Sequence, residues 1–145
     1  MPGYSGTALP KKLGIKAGFH VLLAGVPADV RAELQGALAE CEIKTEELDF
    51  AMLFCTSRAQ LEKEFMRVAS RLAPAGMLWV SWPKKSSRVA TDLNDNVVRK
   101  IGLDAGLVDV KVCAVTDVWS GLKFVRRVKD RTKHTKESAR NVPAG

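Results

Sequence analysis

The chain has 145 residues, 46% hydrophobic and 27% charged, the balance of one ordinary soluble domain with its own core. At this length burial on folding supplies the stability, and composition excludes a disulfide scaffold, a collagenous repeat and a chain without a core. The net charge of +7 is uneven, because residues 126–145 hold seven basic and two acidic side chains and the preceding body is close to neutral. An N-terminal segment, residues 1–18, opens with glycine-flanked Tyr4-Ser5 and then offers one helical turn at Leu9–Leu13 that Gly14 stops. Phe19–Ala24 reads as the first strand, and Gly25-Val26-Pro27 breaks it. Val30, Leu34, Ala37 and Leu38 then recur with the period of a helix lying on a sheet.

A short strand is expected near Cys41–Lys44, followed by LDFAMLFC at residues 48–55, an unbroken apolar run suited to a strand covered on both faces. Ser57-Arg58-Ala59-Gln60 is a capping box, and Leu61, Phe65, Val68, Ala69 and Leu72 form one helical face after it. Pro74-Ala75-Gly76 reads as a turn into a second buried strand, Met77–Trp82, which Pro83 ends. A basic loop covers 84–90, and a helix starting at Thr91 or Asp92 carries Leu93, Val97 and Ile101, with Gly106 closing it. Val108–Val115 and Leu122–Val128 read as an antiparallel hairpin. The alternation of strand and helix implies parallel pairing through right-handed crossovers, hence an α/β domain over 1–128. Residues 129–145 read as a basic, disordered tail.

Cys41, Cys55 and Cys113 are odd in number, far apart and lack any C-x-x-C pair, as expected of buried thiols in a reducing compartment. With His20 and His134 as the only histidines, zinc-ligand spacing is missing and no metal is expected. The first 16 residues show no signal-like apolar run, and no stretch approaches the roughly 18 residues of a membrane span. The expectation is a cytoplasmic protein without a membrane partner.

No G-x-S-x-G elbow, P-loop or H-E-x-x-H motif occurs, so no catalytic residue is assigned. The chemistry-bearing residues lie where strands end. Lys84 and Lys85, with Ser86, Ser87 and Arg88, leave a central strand at the sheet's carboxyl edge, where open α/β folds bind ligands, and Trp82 stands just before them. Ser57 and Arg58 leave the neighbouring strand at a helix N-terminus, whose amides favour anions. Tyr4 and Ser5 complete the expected anion site as a mobile cover. The basic tail offers contacts to nucleic acid.

Residues 13–25, Leu48-Asp49-Phe50-Ala51 and Leu72–Val80, taken in order with the final hairpin, resemble the first, fourth and fifth strand units of class I methyltransferases. More specifically, Gly3-Tyr4-Ser5-Gly6-Thr7, Lys11-Lys12-Leu13-Gly14, Gly76–Lys85, Val108–Val115 and Trp119–Phe124 are similar to the landmarks of the bacterial family called domain of unknown function 3052. The resemblance implies a Rossmann-like fold, a reduced class I methyltransferase-like sheet, mostly parallel with a C-terminal antiparallel hairpin, and S-adenosylmethionine as the cofactor to consider. Against that cofactor, Ala24-Gly25-Val26-Pro27 keeps one glycine of the Gly-x-Gly-x-Gly loop, and no single acid stands out among Glu40, Glu42, Glu46 and Glu47 to hold the ribose. The expected function is therefore a non-catalytic binding or regulatory module without a cofactor, its partner a protein or a small anionic ligand. S-adenosylmethionine-dependent methyl transfer and nucleic-acid binding through the tail are the alternatives. Oligomeric state is left open.

Overall fold

The computed structural model describes residues 8–131. In chain order the elements are α1 (Leu9–Leu13), β1 (His20–Ala24), α2 (Ala28–Leu38), β2 (Glu42–Ile43), β3 (Leu48–Phe54), α3 (Arg58–Ala69), β4 (Leu72–Pro83), α4 (Asp95–Asp104), β5 (Leu107–Ala114) and β6 (Trp119–Arg126). They form one six-stranded sheet in the order β2-β1-β3-β4-β6-β5. β1 is parallel to β2 and β3, and β3 to β4, whereas β6 is antiparallel to both β4 and β5. Five strands thus share a direction, and the hairpin's return strand is inserted between β4 and β5.

Helices cover both faces, which is why β3 and the second half of β4 are apolar without alternation. On one face Leu9 and Leu13 of α1 and Val30 and Leu34 of α2 pack on Val21, Phe50, Met52, Phe54 and Trp79. On the other, Leu61, Phe65 and Val68 of α3 and Val98 of α4 meet Ala51, Leu53, Leu78, Val80, Trp82, Leu122 and Phe124. Trp79 and Trp82 accordingly serve opposite faces. The indole N–H of buried Trp79 donates to the Leu13 carbonyl at 2.8 Å, tying α1 to the sheet.

Several boundaries differ from the sequence reading, β6 among them, which spans Trp119–Arg126 and not Leu122–Val128. Leu72 begins β4 and does not extend the helical face, since α3 ends with a Ser70 cap. Pro74-Ala75-Gly76 is an irregularity inside β4, because pairing with β3 moves from Leu48↔Leu72 to Phe50↔Met77 and the extra β4 residues loop out. Gly76 suits that position because its backbone lies against the Leu48 carbonyl, where a Cβ has no room. α4 starts three residues later than Thr91, at an Asn94 cap whose side chain accepts the Val97 N–H at 2.9 Å. Among the described residues no helix is long and apolar enough to cross a membrane.

Candidate functional site

β4 ends in Trp82-Pro83, and the chain beyond it folds tightly. The Lys84 N–H donates to the Val118 carbonyl at 2.7 Å, and the Ser87 hydroxyl donates to the Lys84 carbonyl at 2.6 Å. A single 3-10 turn over Lys85–Ser87 results, and Arg88 closes it in the left-handed region at φ 63°. The loop is then fastened to the neighbouring strand end: the Thr91 hydroxyl donates to the Thr56 carbonyl at 2.6 Å, and the Arg58 N–H donates to Asp92 Oδ1 at 2.7 Å. Between this loop and the start of β6 lies a cleft of about 680 Å³. Trp82, Leu93 and Val112 are the large apolar residues of its lining, and Lys84 and Lys85 line it too. Among the described residues neither lysine takes part in an ion pair. Asp92, Asn94 and Asp95 line it as well, so the cleft holds both cationic and acidic groups.

Of the expected site residues, Lys84 and Lys85 line this cleft, whereas Ser57 and Arg58 do not, although the Arg58 N–H is bonded to Asp92 of its lining. The Ser57 hydroxyl accepts the Gln60 N–H at 3.2 Å as a helix cap, and the Arg58 guanidinium pairs with Glu62 at 3.2 Å. The amide at this helix start faces Asp92, an anion supplied by the chain itself. Arg58 lines a different groove, between α3 and α4, beside Met66 and Ile101. Tyr4 and Ser5 lie outside the described residues, as does the tail from residue 132. Sequence reasoning missed Val112, Asn94, Asp95 and Ser120, which line the cleft from separate elements. Val112 gave no signal in the sequence; only the structure shows it 60% exposed on β5.

A second cavity, about 340 Å³, lies over the ends of β1 and β3, lined by Ala24, Gly25, Phe54, Cys55, Gln60 and Lys63. Gly25 sits at φ 72°, and a Cβ there would stand 2.8 Å from the Phe54 carbonyl oxygen, so the sharp turn out of β1 needs glycine. Pro27 caps α2 and supplies no N–H. β2 pairs only with His20 and Val21, at the amino end of β1. Its Glu42 lies 3.6 Å from the His20 ring, and Glu47 offers its carbonyl to the same ring at 3.2 Å. Among the described residues that line this cavity there is no acid from the second strand unit, and Gly25 is its one glycine. Cys55 beneath this cavity is a neutral thiol, its pKa pushed up to about 11 first by burial and then by Glu64. Among the described residues no group of three or more His, Cys, Asp or Glu is placed to hold a metal.

No family model and no curated protein matches the chain, so the likeness to domain of unknown function 3052 remains one of short strings. Solved structures do match. The chain is similar to magnesium protoporphyrin IX methyltransferase (ChlM) from Synechocystis PCC 6803 with bound SAH, at TM-score 0.54 and 14% identity, covering 77% of this chain and 75% of that one. It is also similar to the O-methyltransferase NcsB1 from neocarzinostatin biosynthesis, in complex with S-adenosylmethionine, at TM-score 0.57 and 10% identity over 74% of this chain and 49% of that one. A putative methyltransferase from Thermoplasma acidophilum matches at TM-score 0.51 and 9% identity, over 79% and 70% of the two chains. At these identities the likeness concerns architecture: the fold is the Rossmann-like α/β sheet of S-adenosylmethionine-dependent methyltransferases.

Proposed function

We propose that the chain is a binding module for a small ligand with an anionic end and a flat apolar body, held in the cleft between the β4–α4 loop and β6. The observation that carries this reading is the meeting of Lys84 and Lys85 with Trp82, Leu93 and Val112 in one cleft at the carboxyl edge of the sheet. Ligands of open α/β sheets bind at that edge, and pockets of roughly 300–1,000 Å³ hold cofactor-sized molecules. Unpaired ammonium groups favour a phosphate or carboxylate, and Asp92 and Asp95 in the same lining disfavour a ligand with more negative charge than the lysines neutralise. A nucleoside monophosphate has this chemistry.

Methyl transfer from S-adenosylmethionine is the second reading. The shared fold favours it, as does Gly25 at the turn after β1. The incomplete glycine loop and the short β2 weigh against it.

Thermal unfolding separates the two. A ligand at about 100 times its dissociation constant adds roughly 2.7 kcal/mol, which moves the midpoint of a domain this size by several degrees. With about 1 mM ligand, nucleoside monophosphates are expected to raise the midpoint of the full chain but not that of Lys84→Ala/Lys85→Ala. A rise with S-adenosylmethionine and its demethylated product, unchanged in that variant, would overturn the binding-module reading and establish the second.

A further inference from the structure

The other face of the β5–β6 hairpin carries a separate group of cations. Pairing sets Lys111 of β5 directly opposite Lys123 of β6, and Lys123 opposite Trp79 of β4, so these side chains share the face on which α1 lies. An irregularity in β5 produces this arrangement. Asp109 opposes Phe124, but the next partner of β6 is Lys111, so Val110 is bulged out. Without that extra residue Val110 would oppose Lys123 and Lys111 would point to the opposite face. Lys12 reaches in from α1, its ammonium donating to the Ala114 carbonyl at 2.9 Å, and the Lys111 ammonium donates to the Lys12 carbonyl at 3.1 Å.

Like charges directly opposite on neighbouring strands are destabilising. Neither Lys111 nor Lys123 takes part in an ion pair among the described residues. Lys123 is half-buried, and burial, with Lys111 adding to it, holds its pKa below the ordinary lysine value. The fold therefore uses a bulge to create a repulsive pair, an expense that an external anion would offset. All three groups are lysines, compact point charges that suit phosphate, without the guanidinium fork that matches carboxylates in pairs. α4 covers the hairpin on the opposite face, and α1, on this face, is only five residues long.

We propose that Lys12, Lys111 and Lys123 form a binding site for phosphate polyanions, a nucleic-acid backbone or a free polyphosphate, on the face of the β5–β6 hairpin beside α1. Trp82 of the first cleft lies on the other face of the sheet.

The test uses the full chain, fluorescence anisotropy of a labelled oligothymidylate of about 15 nucleotides at several salt concentrations, and calorimetric titration with tripolyphosphate. Lys111→Gln/Lys123→Gln is expected to weaken binding about tenfold or more, and to reduce the salt slope for the oligonucleotide by about 0.7 per lysine. Lys84→Ala/Lys85→Ala is expected to leave both unchanged. Binding of both probes identifies a nucleic-acid backbone, and binding of tripolyphosphate alone a free polyphosphate. Lys123→Met should raise the unfolding midpoint while weakening binding, which a merely structural lysine would not do. Failure of the wild-type chain to bind either probe, or unchanged affinity in the double glutamine variant with the basic tail intact, would overturn the proposal.

Discussion

Gly102, in the last turn of α4, shows how one atom reverses the sign of a substitution. By helix propensity alone, Gly102→Ala should stabilise by about 1 kcal/mol. In the structure a Cβ at Gly102 overlaps Cε1 of Phe124 and stands 2.5 Å from Cζ. Phe124 is fully buried and edge-on to Phe65, with ring centroids 5.3 Å apart, so the ring has no free direction in which to move. Overpacking of this kind costs roughly 1–3 kcal/mol or more and outweighs the propensity gain. Gly102→Ala is thus expected to lower the urea midpoint by a net loss of about 2 kcal/mol, and a higher midpoint would show that α4 can lift off the sheet. The sequence marks Gly106 as a helix end but gives no reason for Gly102, because the reason is an aromatic ring arriving from β6. Lys111 and Lys123 were equally silent, since their meeting depends on a bulge and a strand register that no local pattern announces.

At the scale of elements, the legible features were those whose partners are near in sequence. The Leu9–Leu13 turn with Gly14 behind it, the apolar run of β3 and the Ser57 cap of α3 are all local, and all stand as read. Even the capping box shows the limit: Gln60 returns its side chain to the N–H of Thr56, one residue earlier than the simple motif, at 3.2 Å. The sequence offers Thr91 or Asp92 as the start of α4, yet the Asp92 carboxylate accepts the Arg58 N–H, at the first turn of α3 and 34 residues away in sequence. A negative charge there is favoured by the helix dipole as well as by the hydrogen bond. Asp92→Ala should therefore cost about 1 kcal/mol in urea unfolding, with Asp92→Asn costing less because it keeps a bonding oxygen. The same bond fastens the loop that carries Lys84 and Lys85, so the alanine variant should also bind its ligand more weakly. Unchanged stability in Asp92→Ala would mean that water caps α3 equally well.

For the molecule as a whole, strand–helix alternation was enough to infer a mostly parallel sheet, because each crossover is a local unit of right-handed chirality. The insertion of β6 between β4 and β5 was not legible, since a hairpin has the same sequence signature whichever of its strands docks on the sheet. That choice decides the exposed edges. At one margin β2 has two residues, too few to recruit another strand. At the other, β5 has eight, with Val110 and Val112 53% and 60% exposed, while Lys111 and the bulge disrupt a flat edge. Hydrogen exchange reads this arrangement directly. Amides of β3 and β4, buried on both faces, should exchange only by global unfolding, and the outward amides of β5 should exchange by local fraying, several kcal/mol more easily. If β5 proved as protected as β4, and more so at higher protein concentration, another strand would be covering that edge, and the bulge would mark its register and not its defence.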